Sequence, residues 1–162
     1  MLPGKPSKED SVARSVVGVI VGLAMLAAVA PANAQDVGKA KILSSIKVQG
    51  GQASLKVRYQ CATGTHIWVS AKQTASGKKD RALAKEGSSA VAAAWWQSHR
   101  DYFRCDGKTN SSVFYIDTFE PGSKGRLRRG FAWVQFCITT GETEADTKLI
   151  VSKAKFVRVK RR

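Results

Sequence analysis

The sequence predicts an all-β protein: an antiparallel sandwich or barrel of about seven strands behind a secretory signal peptide. Three observations carry this. Apolar and polar residues alternate with period two through most of the chain after residue 41. Turns rich in glycine and small polar residues separate the alternating runs. The first 34 residues have the parts of an export signal.

That signal begins with Lys5, Lys8 and Arg14, a basic leader. An almost wholly apolar run over 15–30 follows, and Ala32-Asn33-Ala34 offers small residues at the positions a signal peptidase reads. The run is shorter than the roughly 20 residues a bilayer-spanning helix needs, which favours cleavage after Ala34 over retention as an anchor. No Arg-Arg pair precedes the apolar run, so the general export route is expected. The organisation predicted is a signal peptide at 1–34, a linker at 35–41, a β-sandwich domain at 42–160 and a basic tail at 161–162. No membrane span is expected after cleavage, and the location is extracellular or cell-wall associated.

The elements follow in order. A first strand is read over 42–48, turned by Gly50-Gly51. Residues 53–61 alternate cleanly, with Leu55, Val57, Tyr59 and Cys61 on one face and Lys56, Arg58 and Gln60 on the other. Residues 66–73 set Ile67, Val69 and Ala71 against His66, Trp68, Ser70 and Lys72, and 75–80 is a polar turn. The Ala-rich stretch after Ser88 breaks the pattern. Alanine favours helix, so a short helical or irregular insertion is expected near 88–99. A strand over 101–105 and a turn at Asp106-Gly107-Lys108 follow. Aromatic and β-branched residues mark a strand at 112–119, then a loop at 120–125 and a strand at 131–138. Runs at 148–152 and 155–159 finish the domain as one strand with a bulge.

The chain carries 27 Lys and Arg against 12 Asp and Glu, a net +15. With three basic and two acidic residues in the first 34, residues 35–162 hold 24 against 10, a net +14. Such a balance predicts attraction to anionic partners and says nothing about fold. The basic residues concentrate at Lys124, Arg126, Arg128 and Arg129, and in the run that ends at Arg161 and Arg162. Export places the three cysteines, Cys61, Cys105 and Cys137, in an oxidising milieu, where one bridge and one leftover thiol are expected. The residues alone leave three pairings open. Apolar neighbours Phe136 and Ile138 suggest that Cys137 is buried.

The series GQASLKVRYQC, HIWVSAKQTASGK, CDGKTNSSVFYI and RRGFAWVQFCI resembles a family of small exported actinobacterial proteins known mainly as a domain of unknown function. The likeness spans roughly 43–159. It rests on a cysteine ending an early strand (Cys61), a Cys-Asp-Gly turn (Cys105, Asp106, Gly107), and a glycine leading an aromatic strand (Gly130, Phe131). It implies an immunoglobulin-like β-sandwich and a Cys61–Cys105 bridge, with Cys137 free. It transfers no catalytic residue, and 90–96 looks like an insertion.

Catalytic chemistry finds little footing. Cys105 and His99 match no nucleophile signature, and an oxidised cysteine is no nucleophile. His66 and His99 have no ligand-spaced companions, so no metal and no cofactor are expected. An enzyme would require a concavity joining His99 to a carboxylate. The leading expectation is a non-enzymatic domain that binds anionic envelope polymers through its basic residues. The alternative is a secreted protein-interaction module, an inhibitor or effector, anchored by an aromatic patch of Trp95, Trp96, His99, Arg100 and Tyr102. Extracellular nucleic-acid binding is a lesser version of the first.

Overall fold

Strand β1 (Lys39–Ile42) and strand β2 (Ile46–Gln49) lie along the same side of β3 (Gln52–Gln60). The computed structural model describes residues 38–141 and 146–161. The expected signal peptide and Arg162 fall outside the described residues. So do residues 142–145, most of the turn that Thr140-Gly141-Glu142-Thr143-Glu144 predicts from sequence.

The strand read over 42–48 is two strands with a break at Leu43-Ser44-Ser45. Ser44 Oγ accepts a hydrogen bond from the Lys56 N–H at 2.8 Å, which occupies the backbone site that an unbroken strand would use. The expected linker is also corrected, because Lys39 to Ile42 pair with Gln60 to Val57. Gly50 and Gly51 close the β2–β3 hairpin with φ of 58° and 83°. A two-residue hairpin turn of this hand needs positive φ at both positions, which glycine supplies without steric cost.

The remaining strands are β4 (His66–Gln73), β5 (Ala94–Arg100), β6 (Thr109–Ile116), β7 (Gly130–Thr140) and β8 (Lys148–Arg161). The strands form one hydrogen-bonded path, β1–β3–β2–β8–β7–β4–β5 with β6 on β3, and it folds into two sheet layers, β1/β2–β3–β6 and β8–β7–β4–β5. This order is the immunoglobulin-like one, with three strands facing four. All pairings are antiparallel except β2 with β8, where Ile46 to Val48 run parallel to Val159 to Arg161. Strand β2 thus belongs to both sheets and closes one edge. At the other edge a single bridge joins Gln97 to Asp117.

Alternation sends Leu55, Val57, Phe114, Val69, Val134, Phe136 and Val159 inward, each at most 1% exposed. Phe136 sits at the centre, with the rings of Phe114 and Tyr59 at 5.4 and 5.8 Å. Strand β8 is continuous, as expected, with its irregularity opposite Ile138/Thr139. Its last residue, Arg161, pairs with Val48 rather than starting a tail. Lys153 and Lys155 share the inward parity of Val151 and Val157 yet are exposed. They lie where the β1/β2 break uncovers the edge, and Lys155 Nζ donates to the Ile42 carbonyl at 2.8 Å. Inward-pointing lysines of this kind discourage edge-to-edge pairing.

Two expectations fail between residues 81 and 105. The excursion comprises a 3₁₀ turn at Arg81–Ala84, capped by Asp80, and irregular chain to Ala93; residues 94–99 are strand, not insertion. Alanine's helix preference is a fraction of a kcal/mol per residue. It is outweighed by seven consecutive register positions against β4. Conversely, 101–105 is not a strand. After Arg100 the chain leaves one sheet to reach the other, and a crossing segment can pair with neither. Phe103 tucks onto the core, 6.2 Å from the Tyr59 ring. The Cys61–Cys105 bridge implied by the resemblance is present and ties this crossing to the end of β3. Gly107 N–H donates to the Cys61 carbonyl at 2.7 Å.

Candidate functional site

Two surfaces gather chemistry. The first is a cleft at the end of the sandwich where β2 and β8 finish and β7 begins. It measures about 580 Å³ and is lined by Lys47, Arg129, Phe131, Arg158, Lys160 and Arg161 with the backbone of Gly130 and Val159. None of these residues is acidic. Lys79 Nζ lies 4.7 Å from the centre of the Phe131 ring and the Arg158 guanidinium 5.4 Å, so two cations lie against the ring. Arg161 also lines an adjoining cleft of about 310 Å³ with Arg126, Gly50 and Gly51.

The arginine loop is held rigidly from below. Leu127 is wholly buried. Gln73, at the end of β4 and 1% exposed, donates from Nε2 to the carbonyls of Arg128 (2.8 Å) and Phe131 (3.3 Å). Its Oε1 accepts from the Arg128 N–H at 2.7 Å. Gly125, with φ 69°, lies so close to the Ala93 carbonyl that a Cβ would sit 2.1 Å from its oxygen. Larger residues cannot take that place.

Of the anion-binding residues read from sequence, Arg126, Arg129 and Arg161 meet at this end. Arg128 lines neither cleft, and Lys124 faces elsewhere: its Nζ donates to the Ala90 carbonyl at 2.8 Å. Lys47, Lys79 and Phe131 were not singled out. Lys47 and Lys79 lie far in sequence from the basic runs, and Phe131 follows one of them but carries no charge. The β2–β8 pairing brings in Lys47, and the β7–β8 pairing sets Phe131 opposite Arg158. The turn at Gly77, whose carbonyl accepts from the Phe131 N–H, brings in Lys79.

The second surface is the outer face of the β8–β7–β4–β5 sheet. Register stacks its side chains in rows. His99, Trp68 and Cys137 form one; Gln97, Ser70 and Gln135 the next; Trp95, Lys72 and Trp133 the third. The 81–93 excursion overhangs these rows and makes a groove of about 750 Å³ whose lining includes Trp68, Trp95, Gln97, Gln135 and His99. Gln97 is fixed, accepting from Trp68 Nε1 at 2.9 Å and donating to the Pro121 carbonyl at 2.6 Å. Lys72 is tied to the overhang, donating to Ser88 Oγ at 3.0 Å.

Alternation also dissolves the expected aromatic patch. Trp95 lies on the outer face, half-buried, while Trp96 is 3% exposed in the core and donates from Nε1 to the Gly125 carbonyl at 3.0 Å. The two indoles cannot act as one anchor. Arg100 packs its guanidinium over the Phe114 ring at 4.6 Å, and Tyr102, 94% exposed, stands apart in the crossing loop. Cys137 is the free cysteine, half-buried rather than buried. Its apolar neighbours Phe136 and Ile138 both point inward, so alternation turns Cys137 outward. Burial nonetheless pushes its thiol above the usual range, opposed by the contact with Ser152.

The two histidines, distant in sequence, meet across β4 and β5. His66 Nδ1 lies 2.6 Å from Asp101 Oδ1, and His66 Nε2 lies 2.7 Å from His99 Nδ1. With both rings neutral, His66 donates to the carboxylate and accepts from His99 Nδ1–H, which leaves His99 Nε2 as an acceptor. The groove also brings His99 and one carboxylate, Glu86, to the same concavity. Among the described residues no group of three His, Cys, Asp or Glu side chains is placed to hold a metal ion.

Burial holds the Lys72 ammonium below the ordinary lysine range. Between that lowered value and the ordinary one the unfolded chain binds the proton more readily, so stability there rises with pH. Lys72→Met is expected to abolish this rise, and its stability relative to the parent is expected to fall as pH climbs from about 7 to about 10. Urea unfolding at the two pH values checks it; a parallel pH dependence in both proteins would refute it.

Among the described residues no helix is long and apolar enough to cross a membrane. No family model matches the sequence, and no curated protein matches it. Among solved structures the chain is similar to the crystal structure of the C-terminal domain of wzt, with 15% identity and a TM-score of 0.37, over 76% of this chain and 74% of that one. A likeness at that level transfers neither residues nor a ligand.

Proposed function

We propose that this chain is an exported, non-enzymatic β-sandwich domain that holds anionic envelope polymers at its basic end. The observation that carries the reading is the convergence of Lys47, Arg129, Arg158, Lys160 and Arg161 around Phe131 in one cleft with no acid lining it. Guanidinium groups suit carboxylate and phosphate oxygens because they present two parallel N–H donors. A polymer suits the site better than a single small anion, since Arg161 joins this cleft to the one bearing Arg126. A net +14 on residues 35–162 adds long-range attraction and speeds encounter.

The test is retention on purified cell walls and on defined polyanions (polyphosphate and polygalacturonate) across a salt series. The parent protein is expected to lose affinity steeply with salt, as counterion release requires. Arg129→Ala/Arg158→Ala/Arg161→Ala is expected to bind at least about tenfold more weakly at low salt, with a flatter salt dependence. Retention indifferent to salt, or equal retention by the triple variant, would overturn the proposal. Lys108→Ala/Arg128→Ala/Lys153→Ala, which removes the same three charges outside the clefts, serves as the control for lost net charge.

A further inference from the structure

The outer face of the β8–β7–β4–β5 sheet, on which the groove lies, carries hydrogen-bonding atoms that the fold leaves without partners. Ser70 Oγ, Gln135 Oε1, Trp95 Nε1 and Trp133 Nε1 are all buried and unpaired. A buried polar atom without a partner costs about 1–3 kcal/mol, and folded proteins contain few of them. Four of the five such side-chain atoms among the described residues lie on this one face, in two adjacent rows. Chance burial would scatter them. Trp95 and Gln135 also line the groove itself.

The arrangement around them is as telling. The polar row Gln97–Ser70–Gln135 runs between Trp68 on one side and Trp95 and Trp133 on the other. Trp68 and the Trp95–Lys72–Trp133 row are four residues apart along β4, about 13 Å. Indoles at two ends of a trough, with amide and hydroxyl groups in the row between them, complement a molecule that has apolar C–H faces and hydroxyl edges. A neutral sugar chain is such a molecule. The groove also lacks the unopposed charge of the basic cleft, since Glu86 stands in its lining with Lys72 and Lys85, and Lys72 is tied to Ser88.

We propose that this groove binds an oligosaccharide of neutral hexopyranose units. Trp68 and Trp95 stack on sugar rings, and Ser70 Oγ, Gln135 Oε1 and Trp95 Nε1 take up the hydroxyls. The exposed side chains of Lys85 and Glu86 on the overhang swing aside to admit them. The site is separate from the basic cleft and does not depend on it.

The experiment titrates the whole chain with neutral cello-, malto- and mannohexaose, following tryptophan fluorescence and heat. It is run at about 1 M salt, where the screening length is about 3 Å and the basic cleft is silenced. Saturable binding by at least one probe is expected. Trp95→Ala is expected to weaken it at least tenfold. Gln135→Leu and Ser70→Ala are expected to weaken it several-fold while leaving the thermal midpoint equal or raised, because each removes an unpaired buried group. That opposition separates a ligand contact from a merely structural role. Dissociation constants weaker than about 1 mM for all three probes would overturn the proposal and leave the row as a hydrated polar stripe. So would unchanged binding by Trp95→Ala, or loss of binding in Gln135→Leu and Ser70→Ala only in step with lost stability.

Discussion

Cys61→Ala/Cys105→Ala is expected to lower the stability of the domain by about 4 kcal/mol. The bridge spans 44 residues of chain, and closing a loop of that length removes about this much freedom from the unfolded state. A loss of this size moves the thermal midpoint by on the order of 15 °C in a domain of this length. The pair must be replaced together, because a single replacement leaves its partner as a second free thiol beside Cys137, and air oxidation can then join thiols wrongly within or between molecules. What remains after the double replacement is a weak clasp. Gln60 Nε2 donates to the Gly107 carbonyl at 2.8 Å and Gly107 N–H to the Cys61 carbonyl at 2.7 Å. The crossing loop from β5 to β6 is therefore expected to lose hydrogen-exchange protection before the strands do. Thermal unfolding followed by circular dichroism, with and without reductant, checks the magnitude. A midpoint unchanged by reduction would refute it.

Phe136→Ala is expected to cost about 3–5 kcal/mol. The side chain is 0% exposed and stands between the two sheets against Phe114 and Tyr59. Its removal leaves a cavity walled by rigid strands, which collapse poorly around a gap. A matched change at Val113, on the wet face of β6 and 43% exposed, is expected to cost less than about 0.5 kcal/mol. Chemical denaturation of both variants gives the comparison directly. Similar losses at the two sites would mean that the core is not centred on Phe136.

The contrast between these positions was legible in the sequence, because period two separates inward from outward residues without any knowledge of neighbours. Leu55, Val57 and Tyr59 point inward and Lys56 and Arg58 outward, as read. The same rule, applied to Phe136-Cys137-Ile138, would have turned Cys137 outward; composition alone suggested burial, and composition was the poorer guide. The Ala-rich approach to Trp95-Trp96 misled for a different reason. Local propensity there is worth little against the pairing of seven residues with β4, and that pairing is visible only once β4 is in place. The candidate sites were legible only in part. Arg126, Arg129 and Arg161 belong to obvious basic runs. Nothing in the spacing says that Arg128 and Lys124 stay outside the clefts, or that Lys47 and Phe131 join.

The sequence by itself determined the strand-rich character of the domain, the inner and outer faces of its clearest strands, and the sign of its surface charge. These follow from side-chain chemistry read along the chain, where neighbours in sequence suffice. The tertiary structure decided which residues become neighbours across strands. It put His66 beside His99 and Asp101, split Trp95 from Trp96, and aligned Gln97, Ser70 and Gln135 in one row between indoles. It also gathered Lys47, Arg129, Arg158 and Arg161 at one end. Register and strand order set these meetings, and both depend on contacts between segments far apart in the chain.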